Sequence, residues 1–177
     1  MIRSKYHPSS IALHWLMFLL FVAALACIEI RGGVPRATGQ ALRDQLRGWH
    51  IDAGLLVLLF ALLRVGARLC YGAPATIGAP LQVKMAHALH GLLYLVMFLL
   101  PITGVVFAEA GGRAVELFGY ALPVLVAPNH ALSVNVKNVH EFLGNAVYYL
   151  VGLHAAAALW HHLVLKDDTL KRMRFNR

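Results

Sequence analysis

Ten histidines in a chain of 177 residues invite a search for metal-binding pairs, because the neutral imidazole is the commonest protein ligand for transition metals. His140 and His154 are fourteen residues apart. On a helix that is nearly four turns, so both point to about the same face, ~21 Å apart along the axis. This spacing suits two metal centres stacked across one bilayer, each needing a second ligand at the same depth on another helix. Depth can be counted from the flanking cations. His140 lies three residues inside Lys137, and His50 three residues inside Arg47. His154 lies 17 residues from Lys137, and His14 lies 17 residues from Arg31. The counts pair His50 with His140 near the outer surface and His14 with His154 deeper. Two matched imidazole pairs point to two haems, each held by axial ligation. The chain has no C-x-x-C-H, so covalent haem attachment is not expected and the haems would be b-type. Gly54 and Gly144 each follow a candidate ligand by four residues, where a small residue leaves room for a flat ring.

The remaining histidines are less determined. His87 and His90 share a helix face. His90, 19 residues from Glu109, is the alternative to His14 at the deeper centre. His161 and His162 are adjacent and must point in different directions. His7 and His130 read most simply as solvated.

Elements that could position these residues are plain in the hydropathy. Hydrophobic residues make up 59% of the chain, mean hydropathy is +0.65 and only 14% of residues are charged, against roughly 25% in soluble domains. Long apolar runs predict four membrane spans, about 9–30, 48–71, 83–108 and 138–165, each of the ~20 residues a crossing needs. Short Gly- and Pro-containing connections predict an all-α, up-down-up-down four-helix bundle as a single domain. The first run also carries Ala24-Leu25-Ala26 ahead of Cys27, a faint cleavage-site pattern, but it is long for a signal core and holds a histidine. Lys and Arg number ten on one side, Arg3 and Arg177 among them, and six on the other. Both termini are therefore expected in the cytoplasm. The net charge of +8 flanks apolar spans and is read as headgroup anchoring; no recognition motif supports nucleic-acid binding. Cys27 and Cys70 fall near opposite sides of the membrane, so a disulfide between them is not expected.

Three segments carry a family resemblance. Ile11-Ala12-Leu13-His14-Trp15, Gly152-Leu153-His154-Ala155-Ala156-Ala157-Ala158 and His161-His162 through Lys166-Asp167 resemble the bacterial cytochrome b561 family, and the likeness extends over essentially the whole chain. The superoxide:ubiquinone oxidoreductase members are the most similar. The resemblance implies a di-haem b protein of the bacterial inner membrane, with His14, His50, His140 and His154 as axial ligands. It also implies electron flow from periplasmic superoxide to ubiquinone. Other family members serve as haem subunits for a partner dehydrogenase or cytochrome, which is the alternative reading. A metal transporter using the histidines is a third, although the acidic residues it would want lie only near the outer surface, as Glu29, Asp52 and Glu141.

Arg31, Arg36, Arg43 and Arg47 lead into His50. A basic mouth of this kind concentrates a small anion, and Arg43 and Arg47 are the candidates for steering superoxide; pairing with headgroups or haem carboxylates is the competing role. A quinone arriving from lipid needs donors at its carbonyl oxygens. His87, His90, His161, His162 and Lys166 are the candidates.

Overall fold

The computed structural model describes residues 5–175; Arg3 and Arg177, counted above, lie outside them. Four long helices carry the chain: α1 (Pro8–Gly33), α2 (Gln40–Tyr71), α3 (Pro80–Ala110) and α4 (His130–Leu163). All four are long and apolar enough to span a membrane. Between α3 and α4 lies a small hairpin, β1 (Glu116–Leu117) paired antiparallel with β2 (Tyr120–Ala121).

The helix starts follow from local chemistry. Pro8 and Pro80 sit in the first turns of α1 and α3, where a missing N–H costs nothing. The Asn129 side chain accepts from the Leu132 amide at 3.0 Å and caps α4, a contact worth about 1 kcal/mol. His7 is not simply solvated. Its ring accepts from the Ser9 amide at the head of α1 and stacks on Tyr71 at 3.8 Å. His130 is exposed, as the first residue of α4.

Pairing of the histidines fixes the helix directions. His14, early in α1, meets His154, late in α4; His50 and His140 both lie in the first halves of α2 and α4. Helices α2 and α4 therefore run parallel and α1 runs against them, the arrangement of an up-down-up-down bundle. α1 packs chiefly on α2, and α4 on α3. The buried cluster of Met17, Val57, Ala61 and Met97 is drawn from α1, α2 and α3 alone. On α4 only Val147 is buried. That helix is also the least apolar, with mean hydropathy 1.4 against 2.0 to 2.5 in the others, and it supplies one histidine to each pair.

The outer connections are pinned by carboxylates. Glu109, buried at the end of α3, accepts from the Leu125 and Val126 amides, both at 2.9 Å. Asp52 accepts from the Phe118 amide at 2.7 Å. Phe118 (φ 52°) and Gly119 (φ 83°) form the hairpin turn, and positive φ at both central positions is what a tight hairpin requires.

Candidate haem sites

At the outer level, the His50 and His140 ring centroids are 6.2 Å apart. Two imidazoles on opposite faces of one metal sit about 6 Å apart, taking ~2 Å per metal–nitrogen bond and ~1.1 Å from nitrogen to ring centre. Both rings are already aimed. His50 Nδ1 lies 2.9 Å from the Ala24 carbonyl of α1. His140 Nδ1 lies 3.0 Å from the Leu100 carbonyl of α3 and 3.1 Å from the Thr103 hydroxyl, which itself donates to Leu99 O at 2.7 Å. A carbonyl only accepts, so Nδ1 carries the proton in each ring and Nε2 presents its lone pair, the arrangement of a well-supported metal ligand. Gly104 admits the second ring: a Cβ there would stand 3.2 Å from His140 Cε1. Phe107 packs on the same ring at 5.3 Å.

At the inner level three histidines converge. His154 lies 6.0 Å from His14 and 5.4 Å from His90, ring centre to ring centre. The His14 separation is the closer match to the outer pair. The donor set fits haem: neutral imidazoles in facing pairs within apolar helices, with α4 held off the buried core. A Cβ at Gly54 or Gly144 would meet nothing within 4 Å, so open space adjoins the backbone one turn from His50 and from His140. Among the described residues no group of three or more His, Cys, Asp or Glu side chains is disposed to hold a bare metal ion.

Arg43 and Arg47, expected together at the mouth, have different surroundings. Arg43 is buried, 7% exposed, and its guanidinium donates to the Arg31 and Val34 carbonyls, each at 2.7 Å. It satisfies carbonyls at the end of α1 and braces α2 against it. Burial takes its guanidinium off the surface, so an approaching anion does not meet it. Arg47 is exposed and paired with Asp44 at 3.4 Å.

The quinone candidates lie toward the other end. His161 Nδ1 is 2.5 Å from the Asp167 carboxylate, and Asp167 also accepts from the Thr169 amide at 2.8 Å. Lys166, in the left-handed region at φ 53°, turns the chain back to make this contact. His162 points elsewhere, its Nδ1 buried without a partner. His87 Nε2 lies 3.1 Å from the Thr76 hydroxyl. His90 is at the inner histidine cluster. The tail then crosses under the bundle: Trp15 Nε1 donates to Met173 O at 2.9 Å, and Arg172 donates to Ala75 O at 2.7 Å. No sequence periodicity announces this return, because the contacts are single hydrogen bonds to backbone.

Comparison with known proteins agrees with the architecture. The family model described as prokaryotic cytochrome b561 matches residues 5–176. The chain is similar to "Probable superoxide oxidase CybB" of Yersinia pestis, 35% identical over 97% of this chain and 96% of that one. It is 31% identical to "Cytochrome b561 homolog 1" of Escherichia coli strain K12, over 96% and 97% of the two chains. It is 37% identical to "Cytochrome b562" of Cereibacter sphaeroides, over 70% of this chain and 65% of that one. Four membrane-spanning helices carrying facing histidine pairs, together with these matches over nearly the full length, place the chain in the prokaryotic cytochrome b561 family of haem b membrane electron-transfer proteins.

Proposed function

We propose that this protein takes electrons from superoxide at the outer face of the bacterial inner membrane and delivers them to ubiquinone, using two b haems, with both termini in the cytoplasm. The observation that carries the reading is the pair of histidine couples, 6.2 Å and 6.0 Å between ring centres, set at two depths of one bundle. His50 and His140 would hold the outer haem, and His14 and His154 the inner one. Bis-histidine haem supplies one-electron transfer and leaves no open axial position for oxygen.

The polypeptide does the rest. Superoxide loses one electron and leaves as oxygen. Two such electrons and two protons convert ubiquinone to the quinol. Arg47 and its neighbours give the outer mouth a positive field that raises the encounter rate of a small anion. At the other end His87, His90, His161 and His162 offer nitrogen donors to quinone carbonyls, and the His161–Asp167 couple can hold a proton beside them.

The choice of superoxide is supported by the relative named for that oxidation, at 35% identity along nearly the whole chain. The names "Cytochrome b561 homolog 1" and "Cytochrome b562" specify no substrate, and they favour a second reading in which the chain relays electrons between a partner redox protein and the quinone pool. Purified protein in liposomes with a superoxide source and a ubiquinone analogue separates the two. Catalytic quinol formation by the protein alone supports the first reading; haem reduction only on adding a partner protein supports the second.

A further inference from the structure

On α2, Arg64 follows His50 by fourteen residues, the same interval that separates His140 from His154 on α4. Because α2 and α4 run parallel, Arg64 occupies on α2 the depth that the inner ligand occupies on α4, on the same helix face as the outer ligand. The contacts agree. Its guanidinium lies 3.4 Å from the carbonyl of Ser10, one turn before His14 on α1. It also lies 5.9 Å from the centre of the Tyr94 ring, one turn after His90 on α3. Its charge is felt at His14, His90 and His154 alike.

What Arg64 lacks is an anion. Among the described residues the ion pairs involve Asp44, Glu141, Asp167 and Asp168, none of them with Arg64. A single long hydrogen bond and a ring face are poor compensation for a guanidinium within a membrane span, where such charges face the interior and mark function. A haem brings two carboxylates of its own. Arginine, with its fixed fork of donors, is the side chain best shaped to hold one.

We propose that Arg64 is the counter-cation of the inner haem, pairing with one of its carboxylates and favouring its reduced form. The inference rests on the di-haem reading above. A fixed positive charge beside a redox centre stabilises the state that has gained an electron. Arg64 would therefore raise the potential of the inner haem relative to the outer one and draw electrons inward.

Redox titration of the purified holoprotein, followed in the haem absorption bands, tests this. The inner component is assigned as the one missing from His154→Ala. In Arg64→Gln the inner reduction equilibrium should fall about tenfold, which is 59 mV for one electron, with the outer component unmoved. Arg64→Lys should keep most of the wild-type potential. An unchanged inner potential in Arg64→Gln overturns the proposal, since an arginine that only snorkels to headgroups would leave it untouched. Should Arg64→Gln lose the inner haem, its retention in Arg64→Lys supports the charge role, and loss from both overturns it in favour of packing. Wild-type protein with two haems and an unmoved potential removes Arg64 alone. Wild-type protein with a single haem removes the di-haem reading and this inference together.

Discussion

The two histidine sites are built differently. At the outer one, each ring is oriented by a carbonyl from the neighbouring helix, Ala24 for His50 and Leu100 for His140. At the inner one, no backbone carbonyl orients His14 or His154, a third histidine stands 5.4 Å from His154, and an arginine lacks a counter-ion. The outer site is pre-organised, with ring tautomer and aim settled by the fold. The inner site holds surplus nitrogen and positive charge. Such a contrast suits an entry point that only accepts electrons and an exit point that must also handle protons and a second substrate.

The sharpest way to break this comparison is to delete ligands one at a time. His50→Ala and His140→Ala should each abolish outer haem and leave most of the inner. His14→Ala and His154→Ala should do the reverse, and His90→Ala should keep both. Haem content by pyridine haemochrome decides. Retention of both haems in His14→Ala with loss of one in His90→Ala assigns the inner ligand to α3.

A smaller effect is expected from crowding the oriented ring. Gly104→Val places carbon against His140 and should weaken outer haem retention about tenfold, the scale of losses when a ligand's support is disturbed. Inner haem should be unaffected; equal loss from both sites would mean that Gly104 serves the bundle and not the ligand.

Helix number, membrane character and the facing depths of the histidines were legible in the sequence because they depend on periodicity and counting. Counting from Arg47 and Lys137 set His50 opposite His140, and their rings face each other in the structure. Counting could not separate His14 from His90, whose distances to His154 differ by less than the uncertainty in where a span begins. Charge counting also treated Arg43 and Arg47 alike, although one is buried against carbonyls and the other is exposed. Arg64 was read as a cation that snorkels, since only three-dimensional register places it beside the inner histidines. The hairpin at 116–121 is too short for a period of two to show.

The division between the two arginines sets the next test. Arg47→Gln should slow superoxide-driven haem reduction several-fold and flatten its dependence on ionic strength, since charges beyond about 8 Å are largely screened at physiological salt. Reduction by a neutral donor should be unchanged. Arg43→Gln should instead lower thermal stability by about 1–3 kcal/mol by leaving buried carbonyls unpaired. A salt slope identical to wild type in Arg47→Gln removes steering from the mechanism.

The smallest effect concerns the tail. Partial burial pushes the Asp167 carboxyl up, but hydrogen bonds from His161 and from the Thr169 amide and hydroxyl outweigh it and hold the group below its ordinary value of 3.8. A depressed folded pKa gives stabilisation that is complete above that value and lost as pH falls through the lowered one. Acidification below about pH 4 should therefore release the tail, seen as a change in Trp15 fluorescence when its bond to Met173 breaks. Asp167→Asn should loosen the tail by on the order of 1 kcal/mol and remove this pH step; a step that persists in the variant would assign it to another group.

The central claim is that one bundle holds two haems at two depths, and haem stoichiometry tests it most directly. Purified wild-type protein, with haem extracted by acid-acetone and protein measured by amino-acid analysis, should give two haems per chain, all of them extractable. One haem per chain, or haem that stays attached to the polypeptide, would contradict the account.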